Sequence, residues 1–169
     1  MGIYINKFDY TGKMGEKGAK AENNFLNIIS EKFRVVPASF KEQTNNHIDY
    51  YVYDNKNRYF TVDVKARKKF TNEDEDVWIE FKNVRGKSGW LYGSATMIAF
   101  ERKDDFVLVG REKLKKICEE LVDLTDICDR DSCLYKAYTR KGRQDVLSKI
   151  KFTDIFNNIN CIKLSKKRV

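Results

Sequence analysis

One histidine (His47), one proline (Pro37) and four cysteines in 169 residues leave little material for several common chemistries. Cys118, Cys128, Cys133 and Cys161 form no C-x-x-C pair, and a lone histidine cannot complete a structural zinc site with them. Reduced thiols in a cytoplasmic chain are the expectation. Met1–Lys7 has no apolar run of the kind that makes a signal peptide. No stretch reaches the roughly 20 apolar residues that span a bilayer, so no membrane partner is expected. Linkers rich in Gly, Ser or Pro and internal repeats are missing too. The expectation is a single domain over residues 1–169, with a basic C-terminal tail from about Lys163.

What is present is charge and aromatic bulk. Hydrophobic residues make up 41% and aromatics 13%, enough to bury a core. Lys and Arg number 33 against 25 Asp and Glu, a formal net charge of +8. Such a surplus favours an anionic partner such as nucleic acid, because Lys and Arg near phosphates release condensed counterions; it also serves solubility alone.

Hydrophobic periodicity predicts a polar lead-in over residues 1–17 and a helix over 17–32, with Phe25, Ile29 and Phe33 in one core-facing row and Glu22 at its edge. Short strands are predicted at Arg34–Val36, His47–Tyr53, Tyr59–Ala66, Val77–Phe81, Met97–Phe100 and Phe106–Val109. The cluster Asp54-Asn55-Lys56-Asn57 predicts a turn joining two of them as a hairpin. Arg111–Leu124 reads as an amphipathic helix with Leu114, Ile117, Leu121 and Leu124 on one face. A strand at Tyr135–Tyr138 and a helix near 153–158 follow. Helices alternating with strands predict a mixed α/β domain built on a sheet.

The chemistry concentrates in Asp49 and in Thr61-Val62-Asp63-Val64-Lys65. Alternation along a strand puts Asp63 and Lys65 on one face, with Val62 and Val64 on the other. A carboxylate and an ammonium on an otherwise apolar strand are costly to bury without a purpose. If the hairpin forms, Asp49 comes alongside Asp63, and two converging carboxylates call for a hard cation; oxygen ligands of this kind suit Mg²⁺ or Mn²⁺. The plainer reading is a surface hairpin with an Asp63–Lys65 ion pair.

In this order and spacing the residues resemble the PD-(D/E)xK nuclease superfamily, whose pattern is an acidic residue on a helix, an Asp on a strand, then Asp or Glu, any residue, and Lys on the next. Gly18 to Glu22 followed by Phe25 looks like the first helix of small archaeal Holliday junction resolvases and phage endonucleases of that superfamily. Ile48 stands where the name of the motif has proline. The resemblance covers residues 15–66. It implies a restriction-endonuclease-like mixed central sheet flanked by helices. It also implies a Mg- or Mn-dependent endonuclease acting on DNA, on branched or phage-related DNA in particular, with 5′-phosphate and 3′-hydroxyl products. Glu22, Asp49, Asp63 and Lys65 would be catalytic. Asp49, Asp63 and the Val64 carbonyl would hold the metal, with Glu22 joining through water or a second ion. A homodimer is implied by analogy with the resolvases. The alternatives are a non-catalytic nucleic-acid-binding protein on the same fold and an RNA-cleaving member.

Candidate nucleic-acid contacts are Arg67, Lys68 and Lys69 just beyond Lys65, Lys82, Arg85 and Lys87 around the next strand, and Arg140 and Arg143. Glu80, paired with Lys82 on one strand face, reads equally as an auxiliary acid or as part of a solvated face. Trp90 and Tyr92 read as core packing before stacking groups. His47 reads as a structural residue before a base. The acidic run Glu73–Asp76 lacks the glycine and ligand spacing of a calcium loop and reads as a solvated turn.

Overall fold

The computed structural model describes residues 13–67 and 75–166. Lys68, Lys69, the first half of the acidic run and the last residues of the basic tail lie outside the described residues.

Helix α1 spans Lys13–Ile29 and presents Ala21, Phe25 and Ile29, four residues apart, as a buried row. It begins earlier than the apolar periodicity predicts, since the polar turn from Lys13 needs no buried residue to propagate, and this part of the expected lead-in is helical. It also ends earlier: Lys32 and Phe33 donate their amides to Ile29 O. Phe33 therefore lies beyond the helix, where it packs edge-on against Phe60 at 6.3 Å. Each fully buried large apolar side chain such as Phe25 contributes about 1.5–3 kcal/mol.

The strands that follow are β1 (Arg34–Pro37), β2 (Tyr50–Tyr53), β3 (Tyr59–Lys65), β4 (Asp76–Lys82), β5 (Met97–Glu101) and β6 (Asp105–Gly110). Among the described residues the largest sheet has six strands in the order β1-β2-β3-β5-β6-β10, where β10 is Ile162–Ser165. All its pairs are antiparallel except β3 with β5, which run parallel with Asp63 opposite Ile98 and Lys65 opposite Phe100. Helix α1 covers one face through Tyr50, Val52, Val62, Val64 and Ala99. The other face, Ile98, Phe100, Val107 and Val109, packs under a second layer. That layer comprises helix α3 (Arg111–Leu121), helix α4 (Phe152–Asn158) and the pair formed by β4 with β9 (Val146–Lys151). The chain is thus a mixed α/β structure.

Several expectations need correction. Residues 47–49 are not strand: helix α2 (Phe40–Asn46) precedes them, capped by Ser39, and His47 ends it in the left-handed region at φ 53°. Strand β4 forms where a strand was expected, but outside the six-stranded sheet, paired with β9 about 70 residues further along the chain. Helix α3 stops at Leu121; Leu121 and Leu124 are exposed, and its buried contacts are Leu114 and Cys118. Leu124 belongs to β7 (Asp123–Ile127), which pairs with the two-residue β8 (Lys136–Ala137) where a longer strand was expected. The start of the basic tail is strand β10, held by the backbone of β6. Among the described residues no helix is long and apolar enough to cross a membrane.

Candidate active site

Asp49 is fixed by its own backbone before its side chain does anything. Its N–H donates to Val62 O at 2.8 Å and its carbonyl accepts from Ala38 N at 2.8 Å. Strand β2 begins only at Tyr50, so the β3 backbone past Val62 has no strand beside it on that edge. The Asp49 carboxylate takes that place, with Oδ2 accepting from Val64 N at 2.7 Å. In an extended chain the N–H and C=O of one residue point the same way. The Val64 carbonyl therefore faces the Asp49 edge.

Strand β3 alternates as expected: Val62 and Val64 enter the core under α1, and Asp63 and Lys65 point to the other face. Asp63 is 2% exposed. Its Oδ1 accepts from Lys65 Nζ at 2.7 Å, while its Oδ2 is buried without a hydrogen-bond partner. Burial drives the Asp63 pKa well above the usual carboxylate range; Lys65 opposes this, and the Asp49 carboxyl within hydrogen-bond reach adds to it. When ionised, the two carboxyls are acceptors only and offer each other no hydrogen bond. The Lys65 pKa is raised: burial disfavours its charge, but Asp63, Asp49 and Glu80 outweigh burial. Its side chain is 25% exposed and so reaches solvent from this buried pair.

Other groups complete the surroundings. Glu22, on the helix that covers the opposite face, has its pKa raised to about 7, first by burial and then by the field of Asp49, with Lys65 opposing. Tyr50, also on that face, has its hydroxyl pKa raised by burial and by Glu22 and Asp49. His47 is pushed down to about 4 by burial and by Lys65, and is neutral at pH 7. Glu80 Oε1 accepts from Trp90 N at 3.3 Å, and burial raises its pKa. This contact depends on Gly89, where a Cβ would come within 2.3 Å of Glu80 O. Trp90 itself is core, edge-on to Phe100 at 5.8 Å, and its ring lies 5.3 Å from Lys65 Nζ.

The sequence places Glu22, Asp49, Asp63 and Lys65 apart along the chain; the fold brings Asp49, Asp63 and Lys65 within electrostatic reach of one another, and Glu22 within reach of Asp49 and Lys65. The basic candidates divide. Lys82, Arg85 and Lys87 are exposed on and after β4. Arg67 is half-buried beside Glu101, to which its N–H donates. Arg143 is half-buried. Arg140 is committed to Asp145, a fully buried carboxylate that it binds through both Nε and Nη2. Sequence reasoning missed Asp145, which no local pattern marks. It also missed Tyr50, which strand alternation with Val52 could have placed beside Glu22.

Among the described residues no group of three or more His, Cys, Asp or Glu side chains is disposed to hold a metal ion. The carboxylates that could hold an ion are Asp49 and Asp63, with Glu22 coupled to Asp49 through its field. Mg²⁺ keeps several waters and is commonly held by one or two carboxylates plus substrate phosphates. A buried, partnerless carboxylate oxygen beside a second carboxylate fits such an ion. Comparison with protein families, with curated proteins and with solved structures returns no match.

Proposed function

We propose that this chain is a metal-dependent endonuclease of the PD-(D/E)xK superfamily that hydrolyses phosphodiester bonds in DNA. The observation that carries the reading is the buried Asp63 carboxylate, with one oxygen on Lys65, the other unpartnered, and Asp49 alongside. The restriction-endonuclease-like fold is supported by the order of elements: α1, then the antiparallel run β1-β2-β3, then β5 parallel to β3 at its free side. Asp49, Asp63 and the Val64 carbonyl would hold Mg²⁺ or Mn²⁺. Such an ion, when bound, polarises a phosphoryl oxygen and acidifies a coordinated water.

The side chains supply the rest. Lys65 Nζ carries three donors and spends one on Asp63 Oδ1, which leaves two for an attacking water and a phosphate oxygen. Aimed at the phosphorus, it stabilises charge that develops only in the transition state. Glu22, with its pKa raised to about 7 by burial and by Asp49, would join the ion through water, as the resemblance implies. No side chain forms a covalent intermediate in this scheme.

The test is incubation of the full chain with supercoiled plasmid, a four-way DNA junction and RNA, each with Mg²⁺ or with EDTA. Cleavage of DNA in Mg²⁺ that EDTA abolishes is the expected result. Intact DNA under all Mg²⁺ and Mn²⁺ conditions overturns the reading, and cleavage of RNA alone overturns its substrate.

A further inference from the structure

The sheet face that carries Asp63 and Lys65 continues past them. Directly opposed residues of an antiparallel ladder share a face. Tyr51 opposite Thr61, Tyr53 opposite Tyr59, and Arg34 and Val36 opposite Tyr53 and Tyr51 therefore all lie on the side of Asp63. Tyr59 bridges the other two rings, with centroids 5.6 Å from Tyr51 and 5.5 Å from Tyr53. The Arg34 guanidinium lies 3.9 Å over the Tyr53 ring. Tyr59 is 60% exposed and Val36 39%, whereas the opposite face of β2 and β3 is sealed under α1. Cross-strand contacts stabilise a hairpin through the flanks of the rings, yet here they leave the Tyr59 ring largely in water.

Cations edge the row at its Arg34 end, and one carboxylate, Glu42, sits at the other. Arg34 contacts Asn57 Oδ1 at 3.5 Å and the Tyr53 ring, and it makes no ion pair among the described residues. Lys56 and Arg58 are exposed on the adjoining turn, with Arg58 paired to Asp54 at 2.7 Å. Glu42 accepts from the Tyr51 hydroxyl at 2.6 Å, at the opposite end of the row from Arg34. Between the row and the site, Thr61 is tied to Thr96, with Thr96 N donating to Thr61 Oγ1 at 2.9 Å. Tyr59 and Asp63 are four residues apart on β3, about 13 Å of extended chain. One strand of DNA covers that span in about four nucleotides at roughly 3.4 Å each.

We propose that the face formed by Tyr51, Tyr53 and Tyr59, edged by Arg34, is a stacking platform for an unpaired DNA segment next to the scissile phosphate. The substrate of the nuclease proposed above, on which this inference rests, is then a duplex carrying a single-stranded arm. Every base offers a π-face, so rings of this kind bind single strands without reading sequence, and the arginine adds both a phosphate contact and a stacking plane.

The experiment measures binding of the full chain, in EDTA, to a fluorescein-labelled blunt duplex and to the same duplex with an oligothymidylate arm. Tyr59→Ala is expected to weaken binding of the armed duplex about ten-fold and to leave the blunt duplex unchanged. Tyr59→Trp is expected to keep wild-type affinity. Equal losses on both substrates, or none on either, overturn the platform. Equal wild-type affinity for both, with Mg²⁺-dependent plasmid cleavage intact, overturns the platform alone; failure to bind or cut any DNA overturns the nuclease reading as well. Should Tyr59→Ala not fold, 2-aminopurine in the arm reports on the wild type: quenching on binding is expected, and unchanged fluorescence overturns the proposal.

Discussion

Asp63 is the residue that the fold tolerates at a cost. Asparagine has its shape, can accept from Lys65 and can donate to Asp49, so it supplies a donor that two ionised carboxyls lack. Asp63→Asn is therefore expected to raise Tm in EDTA while abolishing Mg²⁺-dependent cleavage; a lower Tm would show that the carboxylate is a net structural asset. Glu22 permits a check on pH. Its folded pKa, about 7, lies above its ordinary value of 4.5, so its charged form destabilises the fold and stability is lost as pH rises through that window. His47, pushed down to about 4, acts in the opposite sense, its contribution being lost as pH falls from 6.5. The comparison of Glu22→Gln with wild type cancels the histidine. The two should melt alike below pH 4.5, with the variant gaining stability up to about pH 7 and holding it above. A pH-independent difference would place Glu22 in solvent. Lys65→Ala should reduce turnover about 10²–10³-fold with little change in DNA affinity, the pattern of a donor that acts in the transition state. Equal losses in binding and turnover would make Lys65 an ordinary backbone contact.

At the scale of elements, the β2–β3 hairpin depends on a side chain that completes its ladder. Asp49→Ala strands the Val64 N–H in a part-buried position, a loss of about 1–3 kcal/mol. Asp49→Asn keeps an acceptor there and, like Asp63→Asn, brings a donor to the pair, so its Tm should equal or exceed that of wild type while cleavage is lost. Two equally destabilised variants would show that charge, not the hydrogen bond, holds the edge. The Asp63–Lys65 pair was legible because strand alternation is local: the two share a face in any strand, and the Asp54–Asn57 turn brings Tyr53 back opposite Tyr59. Helix α2 was not read, because none of its residues is buried and it shows no apolar period. Its one sequence signal was the capping box of Ser39 and Glu42. The departure of β4 to pair with β9 was illegible for a different reason. It depends on partners about 70 residues away, and an alternating strand reads the same in either sheet. Strand β10 was hidden by its charges, since an edge strand is held by the backbone of β6 while its side chains stay mostly in water.

At the scale of the whole molecule, the +8 charge sorts into cations that hold the fold and cations available to a polyanion. Arg140 belongs to the first group: Arg140→Ala leaves Asp145 fully buried without its guanidinium and should cost about 3 kcal/mol, read as a lowered Tm. Lys82, Arg85 and Lys87 are exposed and fall in the second. Replacing these three by Ala should reduce the magnitude of the log–log salt slope of DNA binding by about 2–3, at roughly 0.9 per phosphate lost, with no change in Tm. An unchanged slope would move the interface to the segment Arg67–Lys69. The nuclease reading depends on the carboxylates of buried Asp63 and half-buried Asp49 serving phosphodiester hydrolysis. The most direct test is single-turnover cleavage of supercoiled plasmid in Mg²⁺ by wild type and by Asp63→Asn, with matching circular dichroism as the control for folding. Nicking or linearisation by the wild type, absent in the variant and in EDTA, is the predicted result; wild-type cleavage rates in Asp63→Asn, or no cleavage by either protein, would contradict it.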